Sequence, residues 1–123
     1  MPACSPFFFI LLSLRVIALR GNPLFAVLKR AGDDKRSLER AIRGHGNFAE
    51  YTPIMLVLML IAEQSSASAT LLHSCGAMFL VGRLAHGFCF GFLAHSMPLR
   101  IGGMVLTLTA LGSMAIAQLL ALL

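Results

Sequence analysis

Apolar and polar positions along this chain fall in blocks. Phe7–Leu19 reads FFFILLSLRVIAL, and Phe48–Ala62 is a second apolar run. Thr70–Ala94 is a third, interrupted by Arg83 and His86, and Ile101–Leu123 is a fourth with no charged residue. A helix rises 1.5 Å per residue, so about 20 apolar residues cross a hydrocarbon layer of roughly 30 Å. The fourth block meets that length alone. The other three reach it by taking in polar residues at their ends or middles. The pattern predicts helices spanning a membrane at about 6–20, 46–64, 70–92 and 99–121, within a single domain covering 1–123. The expected fold class is all-α: an integral membrane four-helix bundle.

Composition sharpens this picture. Hydrophobic residues make up 58% and charged residues 12%, against about 25% charged in soluble domains. Mean hydropathy is +0.84. Such a chain has no polar surface with which to be a soluble domain. The formal net charge of +5 then acts first as a topology signal and second as an attraction for anionic lipid or substrate. Nucleic acid is not an expected partner, because aromatic residues do not interleave the basic ones. Cys4, Cys75 and Cys89 form no CxxC pair and are odd in number, so they are read as free thiols. No metal site is expected.

The basic residues also orient the chain. A secretory signal peptide carries positive charge ahead of its apolar run. MPACSP has none, while Arg15 and Arg20 lie at the far end of the first block, as in an anchor whose N-terminus is outside. The first connection carries Arg20, Lys29, Arg30, Lys35, Arg36, Arg40 and Arg43; the second, EQSSASA, has no Lys or Arg; the third, HSMPLR, has Arg100. Four alternating spans put the first and third connections on one side. The positive-inside rule makes that side cytoplasmic and both termini non-cytoplasmic.

The first connection holds the breakers Asn22-Pro23 and Gly32-Asp33-Asp34. Asp34 or Ser37 is placed to cap a helix starting near Leu38 and running through Ala62, with Pro53 as a point of kinking. Small residues at Thr109, Ser113, Ala117 and Ala121, and a GxxxG at Gly87 and Gly91, mark faces where helices can approach closely.

Candidate chemistry lies in ERAIRGHGNFAEYTP, Glu39–Pro53. Glu39, Arg43, Asn47 and Glu50 are spaced four, four and three apart, so they share a helix face. An ionised side chain in hydrocarbon costs roughly 2.5–3.5 kcal/mol even on lenient scales. Glu50 therefore needs a partner or a wet cavity. Arg83 and His86, i and i+3 on the third span, supply cations, and Arg83 is expected to act as a structural ion pair with Glu50 or another buried acid. The other reading is a polar cavity open to the cytoplasm. Arginine forks suit carboxylates and a carboxylate suits an ammonium group. A ligand with two carboxylates and one amine fits that set; glutathione is one, and many amino-acid derivatives are others.

Glu39–Pro53 resembles the signature of the MAPEG family, the membrane-associated proteins in eicosanoid and glutathione metabolism. SLRVIALR at Ser13–Arg20, FLVGRLAH at Phe79–His86 and PLRIG at Pro98–Gly102 are similar to the end of that family's first helix, to its third helix and to the start of its fourth. The resemblance covers nearly the whole chain in order. It implies a homotrimer in a bacterial inner membrane or its equivalent, with glutathione as co-substrate bound between subunits near the cytoplasmic face. Arg20, Arg43, Asn47, Glu50, Tyr51 and His86 fall at its glutathione-contact positions, and Arg100 at its catalytic, thiolate-stabilising position. The implied activity is a glutathione-dependent transferase or peroxidase acting on a lipophilic small-molecule electrophile. Phe90, Ile101, Gly21 and Gly46 stand where some members have tyrosine, serine and two arginines. A non-catalytic ligand-binding protein of the same fold is the second reading. A small four-span transporter is the third, although such transporters carry their acid in the first span.

Overall fold

The computed structural model describes residues 4–93 and 96–123. Among them every regular element is helical: α1 (Cys4–Leu19), a short 3-10 helix at Pro23–Leu28, α2 (Lys35–Gln64), α3 (Ala69–Phe92) and α4 (Met97–Ala121). The third sequence block ends at Ala94, outside the described residues. Both α3 and α4 are long and apolar enough to cross a membrane; the apolar part of α1, Pro6–Leu19, is shorter.

Local chemistry sets the boundaries. Gly21 and Gly32, at φ +99° and +88°, turn the chain on either side of the 3-10 helix, in a region side chains with a Cβ rarely enter. The Asn22 side chain accepts from the Leu24 N–H at 3.0 Å and Pro23 opens the 3-10 turn. Asp34 caps α2 in a reciprocal box: its carboxylate accepts from the Ser37 N–H at 2.8 Å, and its own N–H donates to Ser37 Oγ at 3.2 Å. That box starts α2 three residues before Leu38, and Pro53 lies inside the unbroken helix.

The helices pack where side chains are small. A Cβ on Gly82 would lie 2.8 Å from the Gly103 carbonyl oxygen, and one on Gly103 would lie 2.7 Å from that of Gly82. The α3 and α4 backbones touch there. The Gly87–Gly91 pair receives α1: a Cβ at Gly87 would meet Phe8 at 2.7 Å, and one at Gly91 would meet Leu12 at 3.2 Å. The ladder Thr109, Ser113, Ala117 and Ala121 does not face the chain's own core. The buried face of α4 is Gly103, Thr107, Ala110 and Met114. Met55, Ala62, Cys75, Phe79, Ala110 and Met114 form the core between α2, α3 and α4. Much of the outside is apolar and exposed, including Ile54, Val57 and Leu60 of α2 and Ile101, Val105 and Ile116 of α4. Apolar area on that scale needs lipid or another chain against it.

Two polar contacts hold α1. Ser13 Oγ donates its single hydrogen to the Phe9 carbonyl at 2.9 Å, so it accepts from His45 Nε2 at 2.9 Å. The His45 ring also packs 4.6 Å from the Phe9 ring. Arg15, 1% exposed, is held more tightly. Its Nε donates to the Gly91 carbonyl at 2.9 Å, and its two terminal nitrogens grip the Asp33 carboxylate at 2.7 and 2.8 Å. It also donates to the Leu28 carbonyl and lies over the Phe92 ring. Arg15 thus ties the first connection to the ends of α1 and α3.

Candidate functional site

Apart from Arg20, the expected site residues separate into three places. Arg43, Asn47 and Glu50 run along an outward edge of α2, with Arg43 and Glu50 exposed in a single chain. The Asn47 amide donates to the Arg43 carbonyl at 3.1 Å, leaving its side-chain carbonyl oxygen free to accept.

Tyr51 and Arg83 form the second place. The Arg83 guanidinium lies 4.9 Å from the centre of the Tyr51 ring, a cation–π geometry. Arg83 is 1% exposed. Its Nε donates to Thr107 Oγ1 at 2.8 Å, and that hydroxyl donates onward to the Gly103 carbonyl at 2.7 Å. The Arg83–Glu50 pair expected from the sequence is not formed within one chain. The ion pair among the described residues is Arg15–Asp33.

His86, Phe90 and Arg100 make up the third. His86 Nδ1 lies 3.2 Å from the Arg100 carbonyl oxygen. A carbonyl only accepts, so Nδ1 carries the hydrogen; in the neutral ring Nε2 is then an acceptor. Nε2 is buried and has no partner among the described residues. The His86 ring stacks on Phe90 at 4.8 Å between ring centres, and the Arg100 guanidinium lies 5.3 Å from the centre of the same Phe90 ring. Phe90, with no hydroxyl to offer, thus serves as a platform for both. No hydrogen bond or ion pair links Arg20, exposed at the end of α1, to any of these residues among those described.

Two cavities are found among the described residues, and the smaller borders the third place. The smaller, about 50 Å³, is lined by Arg40, Cys89, Phe90, Ser96, Met97 and Arg100, together with Leu93. Pockets that enclose small organic ligands run to about 300–1,000 Å³, so this one has no room for a tripeptide. The larger, about 500 Å³, is an apolar groove between α2 and α3 that includes Met55, Met59, Leu72 and Phe79, with Glu63 and His73 at its polar rim. Its α2 residues begin at Thr52, twelve positions beyond Arg40, or roughly 18 Å along the helix. It belongs to the opposite end of the molecule.

Sequence reasoning missed three participants. Arg40 was counted only as a topology charge, yet it turns toward the chain's own α3–α4 corner. Thr107 was not singled out in the sequence at all. The Arg15–Asp33 clamp was signalled by an arginine inside an apolar run, which requires a counter-charge; nothing in the sequence said which of Asp33 and Asp34 supplies it.

The sequence profile of the MAPEG family matches residues 3–120. The chain belongs to the MAPEG family. Like other MAPEG proteins it is a membrane protein. Inner membrane protein YecN of Escherichia coli K12 is 44% identical over 82 residues, covering 67% of this chain and 61% of YecN. YecN of Escherichia coli O6:H1 matches with the same identity and coverage. The chain thus spans about 61% of the length of these curated relatives. No solved structure matches.

Proposed function

We propose that this MAPEG chain crosses the membrane four times, assembles as a homotrimer and binds glutathione between neighbouring subunits near the cytoplasmic face. One observation carries the reading. Arg43, Asn47 and Glu50 lie on the outward edge of α2, while within one chain the cavity beside Arg100, at about 50 Å³, is too small for a tripeptide and the groove of about 500 Å³ is lined by none of the expected site residues. A second copy is needed to close a ligand site of sufficient size, and closing it also shelters Glu50 and Arg43 from lipid.

In that site Arg43 and Arg20 receive carboxylates, Glu50 receives the ammonium group, and Asn47 and Tyr51 supply neutral polar contacts. Arg100 faces the sulfur. A thiol of pKa about 8.5 ionises more readily beside a cation, and the thiolate is the nucleophile. His86 Nε2, an acceptor by its tautomer, is available to a ligand N–H or to the departing thiol proton. The thiolate forms a C–S bond to a lipophilic electrophile while the displaced electron pair leaves with the electrophile's leaving group or is protonated. General conjugation of this kind is the reading taken. A second reading, a ligand-binding protein without turnover, is favoured by Phe90, which offers an aromatic face where a hydroxyl would assist a thiolate.

Glutathione titration of the detergent-solubilised protein tests the proposal, with native mass spectrometry for subunit number and ultraviolet thiolate absorbance for ionisation. Three chains, saturable binding and a glutathione-dependent thiolate are expected. Binding without a thiolate moves the conclusion to the second reading. A stable monomer that binds glutathione refutes a site shared between subunits.

A further inference from the structure

The arginines at the α3–α4 corner point to a second site that uses none of the outward α2 stripe. Arg40 lies one turn before Gly44, where α2 touches α3: a Cβ on Gly44 would sit 2.8 Å from Phe90 Cβ. Arg40 therefore faces inward, and it lines the small cavity together with Arg100. One of its terminal nitrogens donates to Ser37 Oγ at 3.1 Å. Its Nε is buried with no acceptor among the described residues. The Ser96 side chain makes no hydrogen bond to the start of α4, and the Cys89 thiol is turned to the Ser96 carbonyl at 3.2 Å. Two guanidinium groups thus line a cavity to which, among the described residues, no carboxylate contributes.

An apolar track begins at the same place. Met97, Ile101, Val105 and Leu108 are all about half exposed, and their spacing of four, four and three puts them on one face of α4. From Met97 to Leu108 the track runs roughly 16 Å, about half of a hydrocarbon core near 30 Å. A cationic cavity at the head of an apolar track one leaflet deep matches an anionic phospholipid: its phosphodiester against Arg40 and Arg100, an acyl chain along α4. A free phosphate fits the cavity but leaves the track unexplained.

We propose that Arg40, Arg100 and the start of α4 form a binding site for the headgroup of an anionic phospholipid, complete within one subunit. The site shares Arg100 with the glutathione reaction but does not depend on it, so its test is run without glutathione. Native mass spectrometry from detergent compares added phosphatidylglycerol with phosphatidylcholine of the same chains. The wild type is expected to retain the anionic lipid about tenfold better. Arg40→Gln removes a charge-assisted contact, equivalent to tenfold or more in dissociation constant, and is expected to abolish the preference. Lys29→Gln, the same charge change in the exposed first connection, is expected to keep it. Arg40→Lys preserves the charge and is expected to retain a clear preference, which separates loss of charge from misfolding. Alkylation of Cys89, read peptide by peptide, is expected to slow several-fold with phosphatidylglycerol and not with inorganic phosphate. The proposal is overturned if Arg40→Gln and Lys29→Gln retain the lipid equally, if Arg40→Lys behaves like Arg40→Gln, or if inorganic phosphate protects Cys89 as well as the lipid does.

Discussion

Removing the Arg15 side chain tests the clamp that holds the first connection. Arg15→Met keeps most of the apolar stem and deletes the guanidinium. The side chains of Arg15 and Asp33 are 2% and 15% exposed, with contacts of 2.7 and 2.8 Å. Breaking a buried pair by removing one partner costs about 3–5 kcal/mol. Asp33 keeps the Arg30 N–H at 2.6 Å and some access to water, so the expected cost lies near the lower figure, about 3 kcal/mol. Asp33→Asn strands the guanidinium instead, with the Gly91 and Leu28 carbonyls still accepting from it. The double variant is expected to lose clearly less than the sum of the two, as for any pair in direct contact. Acid adds an independent reading. The Arg15 hydrogen bonds, helped by the Arg30 N–H and Ser37, hold the Asp33 carboxyl below its ordinary value against the opposing effect of burial. A lowered native value means the stabilisation is fully present above the unfolded-state pKa, about 3.9. It is then lost as pH falls through the native value. Unfolding by denaturant in detergent, followed by circular dichroism from neutral pH to below pH 4, measures both. An Arg15→Met variant within about 0.5 kcal/mol of wild type, the range of ordinary surface changes, would refute the clamp.

Gly103→Ala puts a Cβ 2.7 Å from the Gly82 carbonyl and is expected to destabilise by about 1–3 kcal/mol through overpacking; Gly112→Ala, with nothing within 4 Å, is expected to be neutral or stabilising by up to about 1 kcal/mol. Calorimetry in one detergent compares them, and equal effects refute the α3–α4 crossing. Arg43→Ala is expected to weaken glutathione binding about 10- to 150-fold, the loss of one charge-assisted contact, whereas Arg100→Ala raises the bound thiol pKa and lowers turnover with a smaller change in affinity. An Arg100→Ala enzyme with unchanged thiolate titration and turnover removes the catalytic role. A C-terminal alkaline phosphatase fusion is expected to be active and a fluorescent-protein fusion dark; the reverse pattern inverts the topology.

Helix positions were legible in the sequence because block hydropathy and capping are local. Asp34 and Ser37 fix the start of α2 by their own spacing, and Gly21 and Gly32 sit where the chain turns. Helix faces were less legible. The small-residue ladder of α4 looked like a packing stripe, but the crossing with α3 uses Gly103 and Gly82, whose match depends on the register between helices. The polar stripe on α2 was legible from its spacing. Its division was not, because Arg40 and Arg43 differ by only three residues and both can pass for one face; the inward turn of Arg40 is decided by the contact of Gly44 with Phe90.

That division bears on what each half can hold. Arg15 is neutralised by Asp33, and Arg83 is accommodated by a hydroxyl and an aromatic ring. Arg40, Arg43 and Arg100 form no ion pair among the described residues, and Arg40 reaches the Asp34 carboxylate only through the Ser37 hydroxyl. They are not equivalent, however. Arg43 shares its edge of α2 with Glu50, seven residues along and two turns away, so a ligand lying on that edge meets a cation and an anion in sequence. A zwitterion with separated charges satisfies both, and a simple anion leaves Glu50 uncompensated. Arg40 and Arg100 share a cavity with no acid, so a zwitterion gains nothing there from its ammonium group and a simple anion is preferred. Glu50 thus separates the two ligand classes: Glu50→Gln should weaken an amino-acid-like ligand on the α2 edge while leaving phosphatidylglycerol retention at the α3–α4 corner unchanged.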